Sequence, residues 1–134
     1  MAEPRRSVNT GTRYEFQFGY SRAVRVNDHI RVAGTAGLGE NGQVVSDDVV
    51  EQMRKALDTV IKAIEELGGA LDDVVMTRIY VSDIHNIDHV AVVHGEVFRD
   101  VRPATTIVRV DFIDAKILVE VEAEAVLGAK KEKV

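Results

Sequence analysis

The spacing of apolar residues along this 134-residue chain changes rhythm in an order that predicts its elements. Tyr14, Phe16 and Phe18 alternate with Glu15 and Gln17, a period of two that predicts a short strand, and Gly19 ends it. Ala23, Val24 and Val26 predict a second strand. Asn27-Asp28 then form a tight turn, since both residue types tolerate the left-handed backbone that hairpins need. His29–Ala33 is the return strand, closed by Gly34. The glycines at 37, 39 and 42 follow in a loop. Neither phosphate-loop spacing, GxxxxGK[ST] nor GxGxxG, is present, so this loop reads as an ordinary turn.

The rhythm then becomes helical. Val49, Val50, Met53, Ala56, Leu57, Val60, Ile61, Ile64 and Leu67 recur at i, i+3, i+4 and i+7. Ser46-Asp47-Asp48 supply caps and acidic charge at the start, and Gly68-Gly69 the stop. A strand, Val74–Val81, is apolar on both sides except at Arg78. A second helix runs from about Ile87 to Phe98, with Ile87, Val90, Ala91, Val93, His94, Val97 and Phe98 near one face. Arg102–Val126 closes the chain as two alternating strands joined by a polar turn at Asp114–Lys116. The order of strands, helix, strand, helix, strands predicts an α+β mixed sheet with both helices packed on one face.

Such a sheet leaves its other face uncovered, and the pattern places Arg78, Arg109, Glu120, Glu122 and Glu124 there. Carboxylates two residues apart on one face repel unless a cation, water or partner answers them. Arg109 and Arg78 are the candidate answers. One of the glutamates is then a candidate acid, base or hydrogen-bond acceptor in a pocket. A large, half-polar uncovered face also predicts self-association in a closed point group.

Composition sharpens this picture mainly by exclusion. The length suits one domain with its own core: residues 13–128, preceded by a flexible segment 1–12 and followed by a solvated tail 129–134. The absence of cysteine rules out disulfides, thiolate metal sites and cysteine nucleophiles. A net charge of −5 and a pI near 5.3 oppose non-specific nucleic-acid binding, which rests on a basic surface. The arginines between Arg5 and Arg22 are the one basic cluster. The N-terminal residues lack the apolar core of a secretory signal, and no run reaches the ~18 apolar residues of a membrane span. A cytoplasmic protein is expected. His85 and His89 are spaced i, i+4 but straddle a turn, so neither a metal nor another cofactor is expected.

Three phrases carry a resemblance: GYSRAVRVNDHIRVAGTAG, DDVVMTRIYVSDI and RPATTIVRV…LVEVEAEAV. In order and spacing they resemble the RidA family, also called YjgF/YER057c/UK114, from about Tyr20 to Val126. The resemblance implies a chorismate-mutase-like fold and a homotrimer whose sheets form a central barrel, with small-molecule ligands bound in clefts between subunits. The activity it implies is hydrolysis of reactive enamines and imines to keto acids and ammonia. Endoribonuclease and translation inhibitor are older labels in the family. Residue by residue, the family tyrosine resembles Tyr20. Its serine-glycine turn resembles Ala33-Gly34, and the glutamate of its closing phrase resembles Glu120, the catalytic candidate.

The family's deaminase motif has an arginine that grips the substrate carboxylate through a bidentate fork. Here the motif reads Pro103-Ala104-Thr105-Thr106, so threonine stands at that place and the chain resembles an arginine-lacking subgroup. Arg102 is a candidate replacement charge. His94 stands where archetypal members carry an aromatic residue. Tyr20, Ala33, Gly34, His94, Arg102 and Thr105 are the candidate substrate-binding residues. The reading is a hydrolytic deaminase of altered specificity, acting on a small reactive nitrogen compound. A metabolite-binding trimer without turnover is the alternative, and a nuclease ranks last.

Overall fold

The computed structural model describes residues 3–129. Their elements in chain order are β1 (Arg6–Val8), α1 (Arg13–Phe18), β2 (Ala23–Val26), β3 (His29–Ala36), α2 (Val49–Glu66), β4 (Val74–Val81), α3 (Ile87–Phe98), β5 (Ala104–Arg109) and β6 (Val119–Val126). The strands form one mixed sheet in the order β1-β2-β3-β6-β4-β5. Only the β4–β5 pairing is parallel.

The long helix forms where the apolar repeat predicts it. Asp48 caps it, its carboxylate accepting the Val50 N–H at 2.9 Å. Met53, Ala56, Leu57, Val60 and Ile64 are buried against Ile30, Val32, Val119 and Val121 of the sheet. The second helix has the bounds the pattern predicts and adds Val90, Val93 and Phe98 to the same core. Each such side chain contributes about 1.5–3 kcal/mol when fully buried. In β6 every odd position from Val119 to Ala125 faces this core, and Glu120, Glu122 and Glu124 face the other way.

Gln52 interrupts the apolar stripe of α2 and is fully buried. Its amide nitrogen donates to the Ser46 and Lys116 carbonyls at 2.8 and 3.0 Å, and its oxygen accepts the Leu118 N–H at 2.9 Å. The helix thereby grips the chain just before β6 and fixes where that strand enters the sheet.

Three expectations are corrected. The alternation at Tyr14, Phe16 and Phe18 forms α1, not a strand. Thr12 caps its start by accepting the Glu15 N–H, and Gly19 ends it in the left-handed conformation at φ 73°. This helix buries Glu15 and leaves Phe16 91% exposed, so the alternation never faced a core. Second, the closing strands are not a hairpin. β5 lies at the sheet edge beside β4, and residues 110–118 carry the chain across to the central β6. Third, Arg109 pairs in register with Val81, which puts it on the helix-covered side, away from the glutamates.

The segment read as flexible contains more order than expected, because Arg6–Val8 pair with Ala23–Arg25 and Val8 is buried. Of the predicted terminal segments, residues 1–2 and 130–134 lie outside the described residues.

Replacing Gln52 by leucine leaves the Leu118 N–H and two carbonyls without their partner inside the protein. Each buried unsatisfied group costs about 1–3 kcal/mol. Gln52→Leu is expected to lower the unfolding free energy by roughly 2–4 kcal/mol in urea titration; a change within about 0.5 kcal/mol would show that the clamp contributes nothing.

Candidate functional site

The uncovered face gives each glutamate of β6 a different environment. Glu124 sits between two arginines, 3.4 Å from Arg31 Nε and 3.4 Å from Arg78 Nη2. Glu122 accepts a hydrogen bond from the Tyr80 hydroxyl, and that bond, with burial, raises the phenol above its ordinary pKa. Glu120, aligned with Ala36 and Tyr80, receives none of these bonds. Burial pushes its carboxyl above the ordinary range, the Arg22 charge opposes this, and Glu122 adds to it.

Gly34 makes room for that carboxylate. Between Val32 and Thr35 the pairing of β3 with β6 slips register. A Cβ built on Gly34 would lie 2.7 Å from Glu120 Oε1. Any side chain there would displace the acid.

Behind Gly34 lies an ion pair that the sequence reading missed. Arg22 is buried, and its Nη1 donates to the Gly34 carbonyl at 2.7 Å and to the Thr35 hydroxyl at 3.1 Å. Its Nη2 meets Glu15 Oε2 at 3.3 Å and the Tyr20 hydroxyl at 3.4 Å. Thr10 and Thr12 donate to the same Glu15 carboxylate. Burial alone would raise Glu15, but the bonds from Thr10 and Thr12 and the Arg22 charge outweigh it and hold the carboxyl below its usual value. Tyr20, Gly34 and Glu120 are thus linked through Arg22. Ala33 joins the same scaffold by donating its N–H to the Arg22 carbonyl at 2.9 Å.

The other candidates lie on the opposite side of the sheet. Thr105 pairs in register with Thr77, whose side chain is buried toward the helices. His94 on α3 reaches both hydroxyls, Nε2 lying 2.8 Å from Thr77 Oγ1 and 3.5 Å from Thr105 Oγ1. Its ring packs on Phe98 at 4.5 Å, and burial lowers its pKa below the usual imidazole value. His94, Phe98, Arg102 and Pro103 line an open cavity of about 380 Å³. Arg102 is exposed and takes a left-handed backbone at φ 56°. A larger cavity of about 580 Å³, between residues 10–14, loop 38–43 and α2, includes Arg22 and Thr35 but neither Glu120 nor His94.

The predicted site therefore falls into two halves in one protomer, an acid half around Glu120 and a hydroxyl–imidazole half around His94. A family model described as endoribonuclease L-PSP matches residues 11–127, which takes in both halves. The chain belongs to this family, the RidA or YjgF/YER057c/UK114 proteins. A RidA-family structure from Mycobacterium tuberculosis superposes with a TM-score of 0.84 at 42% identity, over 92% of this chain and 100% of that one. An uncharacterized protein of Streptomyces coelicolor is 38% identical over 96% of each chain. A 3-aminoacrylate deaminase, RutC, of Acinetobacter baylyi is 30% identical over 79% of this chain and 85% of its own. The RidA-family fold accounts for the mixed sheet with its helices on one face.

The apolar pattern does not single out Arg22, Glu15 or Thr77. Arg22 and Thr77 find partners 12 to 28 residues away, while Glu15 is buried by α1, a helix that the alternation misassigns to a strand. The signal available for Arg22 was its place two residues after the family tyrosine.

Two outcomes follow from the acid half. Arg22→Met strands the buried Glu15 charge and is expected to cost about 3–5 kcal/mol in chemical denaturation; a loss under about 1 kcal/mol would mean the pair is not desolvated. Glu120 behaves oppositely. Its folded pKa is raised, so its ionised form costs stability above that pKa, and the cost is relieved as pH falls toward the unfolded value near ~4.3. Glu120→Gln is expected to raise the melting temperature at neutral pH and to lose that advantage in acid. An unchanged or lower melting temperature at neutral pH would contradict a strained carboxylate.

Proposed function

We propose that this chain is a RidA-like hydrolase of a small enamine, imine or related nitrogen compound, working as a homotrimer. In this reading the uncovered sheet faces meet in a central barrel. The acid half of one subunit then confronts the His94–Thr105 half of its neighbour across an inter-subunit cleft. The observation that carries the reading is Glu120, a half-buried carboxylate with a raised pKa, seated against a glycine that leaves space for it. The relative from Acinetobacter baylyi, a 3-aminoacrylate deaminase, supports the reaction class.

The chemistry asks little beyond a positioned acid–base group. Glu120 takes a proton from water as the oxygen attacks the imine carbon and passes it to the nitrogen, forming a carbinolamine. It then carries the hydroxyl proton to the nitrogen, and ammonia leaves with the C–N electron pair as the carbonyl forms. A carboxyl with its pKa moved toward working pH serves both steps better than an ordinary one. Tyr20 and the backbone at Ala33-Gly34 hold the ligand on the acid side, with Thr105, His94 and Arg102 on the other. Thr105 supplies a hydroxyl and no charge, which favours substrates less dependent on a carboxylate grip than those of arginine-bearing members.

Ammonia release from 3-aminoacrylate, 2-iminopropanoate and 2-iminobutanoate, each generated in situ, tests this. Turnover is expected with at least one of them, falling to background in Glu120→Gln. Thr105→Arg is expected to raise turnover of the two imino acids, and light scattering is expected to give three times the chain mass. A monomer, or equal rates in wild type and Glu120→Gln, would sink the proposal. Binding of these compounds without ammonia release would favour a metabolite-binding trimer.

A further inference from the structure

Three side chains on the helix-covered side form a continuous hydrogen-bonded chain that the Glu120 chemistry does not use. Thr77 is its junction. This residue is fully buried in the middle of β4, yet its hydroxyl lies 2.8 Å from His94 Nε2 and 2.8 Å from Thr105 Oγ1. The parallel register of β4 and β5 sets Thr105 beside it, and α3 lays His94 over both. Thr105 is the exposed end, with the Pro103 carbonyl 3.2 Å from its oxygen.

A threonine hydroxyl has one proton to give, so the protonation of His94 sets the direction of the whole chain. With Nε2 bare, Thr77 donates to it and Thr105 donates to Thr77, leaving lone pairs of the Thr105 oxygen turned outward. With a proton on Nε2, the direction reverses: the ring donates to Thr77, Thr77 donates to Thr105, and the Thr105 proton turns to Pro103. Burial favours the neutral ring. The charged groups near it are Arg99 and Arg102 on the cavity wall and Glu96 two residues along α3. Glu96 is held by Arg54 of α2 at 2.9 Å, so none of them presents a carboxylate to the imidazole. A purely structural role needs only one hydroxyl to satisfy the ring. Here a second, exposed hydroxyl continues the chain to the protein surface, beside the cavity that His94 and Pro103 line.

We propose that Thr105, Thr77 and His94 form a proton relay that makes the Thr105 hydroxyl a nucleophile toward small uncharged acyl or carbamoyl compounds. Thr105 Oγ1 attacks the carbonyl carbon while its proton moves to Thr77 Oγ1 and the Thr77 proton moves to His94 Nε2. The new oxygen–carbon bond forms, the bond to the leaving group breaks, and the leaving group departs with its electron pair. Water then cleaves the ester, and the proton on His94 returns along the relay to Thr105. Nothing is oxidised or reduced. Thr105 is the catalytic residue, His94 the base acting through the relay, and Thr77 the positioning residue between them. All three groups of the relay come from one chain.

The test uses p-nitrophenyl acetate as the acyl donor, with peptide mass mapping of the full-length protein between about pH 5 and about pH 8. One acetyl group is expected on Thr105, at a rate that rises as His94 loses its proton. Thr77→Val and His94→Gln are expected to label at least about tenfold more slowly, and Thr77→Ser to restore labelling. Ammonia release from the imino acids is measured on the same wild-type and His94→Gln samples, so that Thr105 labelling without ammonia release, or the reverse, separates failure here from failure of the deaminase reading. An unlabelled Thr105, or a wild-type rate in His94→Gln, would overturn the relay. Should Thr77→Val not fold, the comparison of His94→Gln with wild type decides alone.

Discussion

The buried pair of Arg22 and Glu15 is the constraint around which the acid half is arranged. Taking two charges out of water is costly, and the cost is offset only where geometry and extra hydrogen bonds are good. Here Thr10 and Thr12 complete the carboxylate, and the Gly34 carbonyl, Thr35 and Tyr20 complete the guanidinium. The N-terminal segment, α1 and the end of β3 are therefore held together by one polar centre, with Val8 the apolar anchor of the segment. That explains how α1 persists with two phenylalanines in solvent. Of the residues it organises, Gly34 borders Glu120 directly.

The contrast among the three glutamates is electrostatic differentiation on a single strand. Identical side chains at a two-residue spacing would repel equally, but their cross-strand neighbours differ. Two arginines take up the charge of Glu124, a phenol takes part of that of Glu122, and Glu120 is left with the more distant Arg22. Sheet register, rather than the identity of the acid, sets each environment.

The sequence carried α2 and α3 almost completely, because a helix face is written in residues three and four apart. α2 begins and ends where caps and periodicity place it, and α3 where periodicity does. Alternation around Phe16 misled for the complementary reason: over so few residues, capping at Thr12 and Gly19 decides the conformation more than the pattern does. Strand neighbours were not legible in the pattern either. Nothing local to β6 says that it inserts between β3 and β4, and the clamp that fixes it, Gln52, comes from a helix far back in the chain. The family resemblance supplied Tyr20, Gly34 and Glu120 as a set. It did not supply Arg22 or Thr77, whose importance appears only when β2 meets β3 and β4 meets β5.

The position of β6 has a consequence for how the domain is made. Of the six described strands it comes last in chain order, yet it lies at the centre of the sheet with β3 on one side and β4 on the other. Until it emerges from the ribosome, both of those neighbours carry unpaired backbone edges, and the core face of α2 has only part of its floor. Bare edges of this kind recruit other chains. The nascent domain cannot close progressively from its N-terminus; it must stay open and then complete the sheet in one late step. Loss of the closing residues removes the keystone of the sheet rather than shortening it by a strand.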